Sequence, residues 1–351
     1  MSRKPVVLIT GANGEVGHGL IESLVDSGRY DIVALDLREI DCRIARHCID
    51  TVTGDILDEN LLGRLATEYE ISTIFHLAAL LSTRAEYNPV QAHKVNVEGT
   101  LSLLEMAVNE GRSRGTHVKF LFPSSIAAYG LPDLETKREA GRVSEHAWTM
   151  PATMYGCNKL YCESLGRYYS QHYRRLAAQT TPGGIDFRCV RFPGLISAFT
   201  VPSGGTSDFI PEMIHAAAAG KPYECFVRED TRITFMAMPD AIRALLGLME
   251  APVEKLTDRV YNVGAFNPSA GEFAELVRGA FPDADIRFVP DENRQGIVDS
   301  WPEDVDDGRA RTDWGHEPQY NLKRCFDEYL LPNVTKRYRS TEREDEACMG
   351  R

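Results

Sequence analysis

The chain has 351 residues, 43% of them apolar and 26% charged, a composition typical of globular enzymes and a length that suggests two domains or one large domain with an added lobe. Its net charge of -12 gives no electrostatic case for nucleic acid or an anionic membrane as partner. No apolar run of roughly 18 residues appears, so no membrane span is expected.

The N-terminus, Met1 to Pro5, runs straight into a strand, so no signal peptide is expected there. The eight cysteines are scattered, with no CxxC pair, and read as reduced thiols of a cytoplasmic protein. The nine histidines make no HExxH, and no metal is expected.

Val6 to Thr10 is a continuous apolar run, as a strand buried on both faces requires. It feeds into Gly11-Ala-Asn13-Gly14-Glu15-Val16-Gly17 and then an amphipathic helix from Leu20 to Ser27. Strand before and helix after give this glycine pattern the context of a dinucleotide fingerprint. Gly11 allows the tight turn, Gly14 admits the pyrophosphate, and Gly17 lets helix and strand pack closely. The free N–H groups and dipole of the helix N-terminus favour the anion.

Asp31 to Asp36 is the second strand, and Asp36 stands where a ribose-binding acid is expected. A carboxylate there repels a 2′-phosphate, so NAD is favoured over NADP. Arg38 beside it reads as solvated. After a third short strand comes Gly54-Asp55-Ile56, with Asp55 either an adenine contact or the N-cap of a helix from Glu59. The fourth strand begins at Ile71 and ends in Leu77-Ala78-Ala79, small enough for close cofactor approach, while His76 reads as a packed core residue. Ser82 lies just beyond, at the carboxyl edge of the sheet. A helix from Pro89 to Asn109 carries Asn96, expected to organise backbone or water near the site.

Val118 to Phe122 is a further strand, ending in Pro123-Ser124-Ser125, where Ser125 serves either a substrate oxygen or a turn. Residues 131–150 are polar and read as a mobile loop near the pocket. Tyr155-Gly-Cys-Asn-Lys159 then opens a long helix reaching about Tyr173, which puts phenol and ammonium on one face, one turn apart. An adjacent ammonium favours the phenolate and brings a tyrosine toward use as a base.

Residues 174–184 read as a surface insertion and 185–192 as a strand. Beyond Phe192 the pattern breaks into a loop of small residues, 193–208, which is the best candidate for substrate contacts. The fold class is therefore α/β, a doubly wound parallel sheet with a smaller C-terminal substrate lobe. The expected division is 1–192, with 232–265 returning to it, then 193–231 and 266–338 as the substrate lobe, and 339–351 as a flexible tail.

The glycine turn, Asp36, the serine pair before Tyr129-Gly130, and Tyr155-xxx-Lys159 together resemble the extended short-chain dehydrogenase/reductase family over nearly the whole chain. Within it, Arg191 to Ser197, Gly204 to Asp208, Met238 to Ile242 and Asp299-Ser-Trp-Pro302 are similar to the short-chain-type L-threonine 3-dehydrogenases. The resemblance implies NAD-dependent oxidation of the C3 hydroxyl of threonine to 2-amino-3-oxobutyrate. It implies that Ser125 and Tyr155 contact the reacting hydroxyl, with Tyr155 as base, and that Lys159 binds the nicotinamide ribose and lowers the Tyr155 pKa. Ser82, Thr206 and Asp208 match positions lining the amino-acid pocket, and a homodimer through the Tyr155 helix is one assembly it implies.

Phe192, Ser203, Ser207, Phe209 and Asn158 depart from the family pattern. The rival reading is a nucleotide-sugar 4-epimerase or dehydratase that retains NAD. Such an enzyme must bind a pyrophosphate in the second lobe, and the stretch from Phe192 to Phe209 has no Lys or Arg.

Overall fold

The computed structural model describes residues 4–177, 182–202 and 204–339. Ser203, the charged tail from 340 onward and residues 178–181 of the expected insertion lie outside the described residues.

Thirteen strands occur among the described residues: β1 Val6–Thr10, β2 Asp31–Asp36, β3 Asp50–Thr53, β4 Ile71–His76, β5 His117–Ser125, β6 Arg142–Val143, β7 Gly184–Phe192, β8 Gly194–Ile196, β9 Tyr223–Cys225, β10 Phe235–Ala237, β11 Val260–Asn262, β12 Ile286–Phe288 and β13 Asp304–Val305. Seven form one parallel sheet in the order β11-β7-β5-β4-β1-β2-β3. Every residue of β1 and of β7 is buried. That is the burial of strands covered on both faces; it explains the apolar run of β1, while β7 carries Asp186, Arg188 and Arg191 buried among its apolar residues.

Helices pack on both sides of the sheet. On one face Leu8, Phe120 and Phe187 meet Leu62, Leu103 and Leu104. On the other Val7, Ile9 and Leu121 meet Leu20, Ile21, Ile242 and Leu245. A third apolar cluster holds Phe209, Phe235, Phe273 and Phe326 and forms the C-terminal layer. The strand order reverses between β1 and β4, so the crevice at their carboxyl ends is where an open α/β sheet binds its ligand.

Four elements differ from the sequence expectation. The expected loop 193–208 opens with the strand β8, which pairs with β10. The first helix begins at Glu15, directly after the glycine turn. The Pro89 helix runs on to Arg114 and passes through a π-helical turn at Lys94–Glu98, which carries Asn96. Residues 131–150 are not the mobile loop that their polarity suggested. They hold a helix, Leu134–Ala140, whose N-cap Asp133 accepts from Thr136 N at 2.7 Å, and the strand β6, which pairs with β13. Lys137, only 2% exposed, donates to Val298 O at 3.0 Å, and Leu131 N donates to Ser300 O at 2.8 Å. These long-range ties fasten the segment to the C-terminal layer, and no local sequence pattern announces them.

Candidate active site

A cavity of ≈ 590 Å³ opens at the switch point of the sheet. Its floor is the glycine turn after β1. Gly11 has φ +69°, and a Cβ there would lie 2.6 Å from Ala78 N, so only glycine lets the β1 and β4 ends approach. A Cβ on Gly17 would lie 2.4 Å from Ala12 O, which fixes the close packing of helix on strand. A Cβ on Gly14 would meet only Gly11 O, at 3.1 Å, so that position lies open on the cavity wall.

Of the expected cofactor contacts, Gly11, Gly14, Glu15, Val16, Gly17, Leu77, Ala79, Tyr155 and Lys159 line this cavity. Asn13, Asp36, Asp55, Ile56, Ala78 and Asn96 lie off its wall. Asn13 and Asp36 still belong to one construction. Asp36 Oδ2 accepts from Asn13 N at 3.0 Å, and its Oδ1 accepts from Arg38 N at 3.1 Å. The Arg38 side chain is 79% exposed beside it, with Nε 4.0 Å from Asp36 Oδ1.

Asp55 is not the N-cap of the helix at Glu59. Asp58 caps it, accepting from Asn60 N and Leu61 N, while Asp55 Oδ1 takes Leu57 N at 3.0 Å. Ile56 is a core residue against Gly99. Asn96 acts through backbone: its Oδ1 accepts from Leu80 N at 2.7 Å, and its Nδ2 donates to Leu80 O at 3.0 Å. This pins the turn just before Ser82. The same Nδ2 lies 3.4 Å from Asn158 Oδ1, so the departure at 158 finds a partner here. His76 hydrogen-bonds Thr10 and Thr100, and burial pushes its pKa down to about 3. It is a neutral core residue.

Ser125 ends β5 in the cavity, and its Oγ accepts from Ala127 N at 3.1 Å. With that oxygen occupied, its O–H is left to donate to a ligand oxygen. Tyr155 stands at the start of the Met154–Gln171 helix, whose N-cap Thr153 accepts from Gly156 N. A Cβ on Gly156 would lie 2.0 Å from Ala127 O, so this glycine lets the helix close onto the Ser125 turn. Lys159 Nζ donates to Pro123 O at 2.7 Å and lies over the Tyr155 ring, 5.5 Å from its centroid.

In the bare site the help that Lys159 is expected to give the Tyr155 phenolate is set against burial. Burial pushes the Tyr155 phenol well up, and burial also pulls the Lys159 ammonium down. Desolvation disfavours both charges, so Tyr155 rests protonated.

The outer wall is the 193–208 stretch, β8 and the loop that follows it. Ser82, Ser207 and Asp208 line the cavity, whereas Thr206 is 5% exposed and off the wall. Asp208 Oδ2 accepts from Gly205 N at 2.7 Å. Thr83 Oγ1 donates to Gly204 O at 3.1 Å, and Arg294 Nη2 donates to Gly205 O at 2.9 Å, so the loop is held from two distant parts of the chain. Sequence reasoning missed Arg84, an exposed cation on the wall, although its place two residues after Ser82 was a usable signal. It also gave no role to Trp301, which closes the wall from the C-terminal layer, whereas Glu15, an expected cofactor contact, is on the wall. Burial raises the Glu15 carboxyl against the opposing hydroxyls of Ser197 and Thr200, and its Oε1 is buried without a partner.

A glycine cradle at a helix N-terminus and a Ser–Tyr–Lys set around one cavity, with the Asp36 carboxylate fastened to the glycine turn beside it, fit a nicotinamide dinucleotide and define an NAD-dependent oxidoreductase of the Rossmann type. The chain belongs to the NAD dependent epimerase/dehydratase family, whose sequence model matches residues 7–264. It is 34% identical over 327 residues to a Bos taurus protein named L-threonine 3-dehydrogenase, mitochondrial, covering 90% of this chain and 79% of that one. A solved partial-consensus L-threonine 3-dehydrogenase is similar at 35% identity and TM-score 0.82, over 95% of this chain and 100% of that one. The holo form of an L-threonine dehydrogenase from Cupriavidus necator is similar at 34% identity and TM-score 0.81, over 95% and 99% of the two chains.

Asp36 gives a prediction at this point. Asp36→Asn removes the charge while keeping the shape. If the carboxylate accepts the ribose hydroxyls, a charge-assisted bond of about 1.5–3 kcal/mol is weakened, and NAD+ affinity falls about 10-fold or more. Discrimination against NADP+ should shrink at the same time. Titration with each cofactor checks it; unchanged NAD+ binding would remove Asp36 from the site.

Proposed function

We propose that the chain oxidises the C3 hydroxyl of L-threonine with NAD+, giving 2-amino-3-oxobutyrate. The observation that carries this is the single cavity: it joins the dinucleotide cradle to Ser125, Tyr155 and Lys159, and its outer loop has no Lys or Arg from Phe192 to Phe209. The names of the similar proteins support the same substrate.

NAD+, when bound, supplies the hydride acceptor and a positive charge. Tyr155 takes the hydroxyl proton, and Ser125 donates to the reacting oxygen and holds it in line. Lys159 has one proton on Pro123 O and two left for the nicotinamide ribose and the phenolate side. Asp208 holds the substrate ammonium. Ser82, with Arg84 beside it, holds the carboxylate in place of Thr206, which lies off the wall.

The two-lobe division at Phe192 is part of the proposal, as is a cytoplasmic setting, which the seven unpaired cysteines among the described residues support. A homodimer through the Tyr155 helix is supported by Tyr161 and Tyr168, 52% and 43% exposed on it. Among the described residues no helix is long and apolar enough to cross a membrane.

The test against the epimerase reading is stoichiometric. A dehydrogenase releases many NADH per protein molecule when NAD+ and L-threonine are in excess. An enzyme that returns the hydride to its product accumulates none, and purifies with its dinucleotide bound.

A further inference from the structure

Arg191 and Glu163 form an ion pair sealed in the protein, with side chains 1% and 0% exposed. Glu163 lies on the Tyr155 helix, one turn beyond Lys159. Its Oε2 accepts from Arg191 Nη2 at 2.6 Å, and its Oε1 accepts both Arg191 Nε at 2.8 Å and Ser124 Oγ at 2.6 Å. Arg191 sits on β7, donates to Glu145 O at 2.8 Å and stacks over the Tyr129 ring.

A buried pair of this kind is weak support for stability, because desolvating two charges offsets most of their attraction. Its geometry is more telling. One carboxylate links three elements: the helix that carries Tyr155 and Lys159, the β5 end that carries Ser125, and β7. A second tie runs parallel to it, from Lys159 Nζ to Pro123 O. Pro123, Ser124 and Ser125 are consecutive, so the two ties grip β5 on the two residues before Ser125.

We propose that Glu163 is a positioning residue. Backed by Arg191, it holds Ser124 so that Ser125 keeps one fixed placement relative to Tyr155 and Lys159. It touches neither substrate nor cofactor, and it acts through Ser124. This rests on the Ser125–Tyr155–Lys159 reading above.

Ser124→Ala removes only the hydroxyl tie and leaves the ion pair intact. It is expected to melt near wild type, to hold KM for NAD+ within about twofold, and to lose about 10–100-fold in kcat, the cost of a misplaced reacting group. Its crystal structure should show Ser125 rotated or the Lys159–Pro123 contact opened. The double variant Glu163→Leu, Arg191→Met removes both charges together and so leaves neither one unpaired. It should show the same split between kcat and KM; if it fails to fold, Ser124→Ala decides alone. Wild-type kcat in Ser124→Ala, or unmoved Ser125 and Lys159 in its crystal, overturns the proposal. If the wild-type protein does not oxidise L-threonine, the functional reading fails, and the crystal comparison still decides the positioning.

Discussion

Tyr155→Phe should cut threonine oxidation by about 10²–10⁴-fold, the usual contribution of a positioned general base. The reason is chemical and not structural. The ring packs against the C-terminal apolar cluster, and phenylalanine keeps that packing. The Thr153 cap and the close approach at Gly156 do not involve the phenol oxygen. The glycine cradle and Asp36 are untouched, so NAD+ affinity should stay within a few fold. Single-turnover NADH absorbance and a separate NAD+ titration check both halves. Turnover near wild type would show that another group takes the proton.

Lys159→Met should be nearly as damaging and should leave a distinct mark on the pH profile. Burial alone pushes the Tyr155 pKa up, so the base form is scarce at neutral pH. The base must be deprotonated, hence activity rises with pH until the phenol ionises in the working complex. A cation within about 4–6 Å favours that ionisation by about 1–3 pH units. Methionine keeps the length of the side chain and removes the charge. The alkaline rise should then begin at least about one pH unit higher, and activity at neutral pH should fall about 10-fold or more. The bond to Pro123 O is lost as well, so a lowered plateau is expected besides the shift. Rates from pH 6 to 10 read both. An unshifted profile would separate Lys159 from the ionisation of Tyr155.

The parts of this fold that sequence made readable are those set by local periodicity. The unbroken apolar run of β1 needs cover on both faces, and only a buried parallel strand supplies it. The glycine turn could be read because Gly11 and Gly17 are each dictated by a close backbone contact. Tyr155 and Lys159 could be paired because helical spacing alone puts them together.

What stayed hidden depends on distant contacts. The 131–150 segment looks like a loop because its neighbours lie more than a hundred residues away, at Val298, Ser300 and β13. Thr206 and Ser207 are adjacent in sequence, and the turn before the Phe209–Ala218 helix faces the second to the cavity and buries the first. The packing around Tyr155 was also out of reach. Spacing shows that a lysine is near, while the partial burial of the ring against the C-terminal cluster belongs to the assembled site.

The most direct measurement is the initial rate of NADH formation with NAD+ and L-threonine, set beside L-serine, L-allo-threonine and NADP+. The structure predicts rapid turnover with L-threonine and NAD+, weaker turnover with serine by the roughly 1–3 kcal/mol of a methyl pocket, and little with NADP+ because of Asp36. No NADH from L-threonine, with dinucleotide retained in the purified protein, would contradict it and point to a sugar nucleotide as substrate.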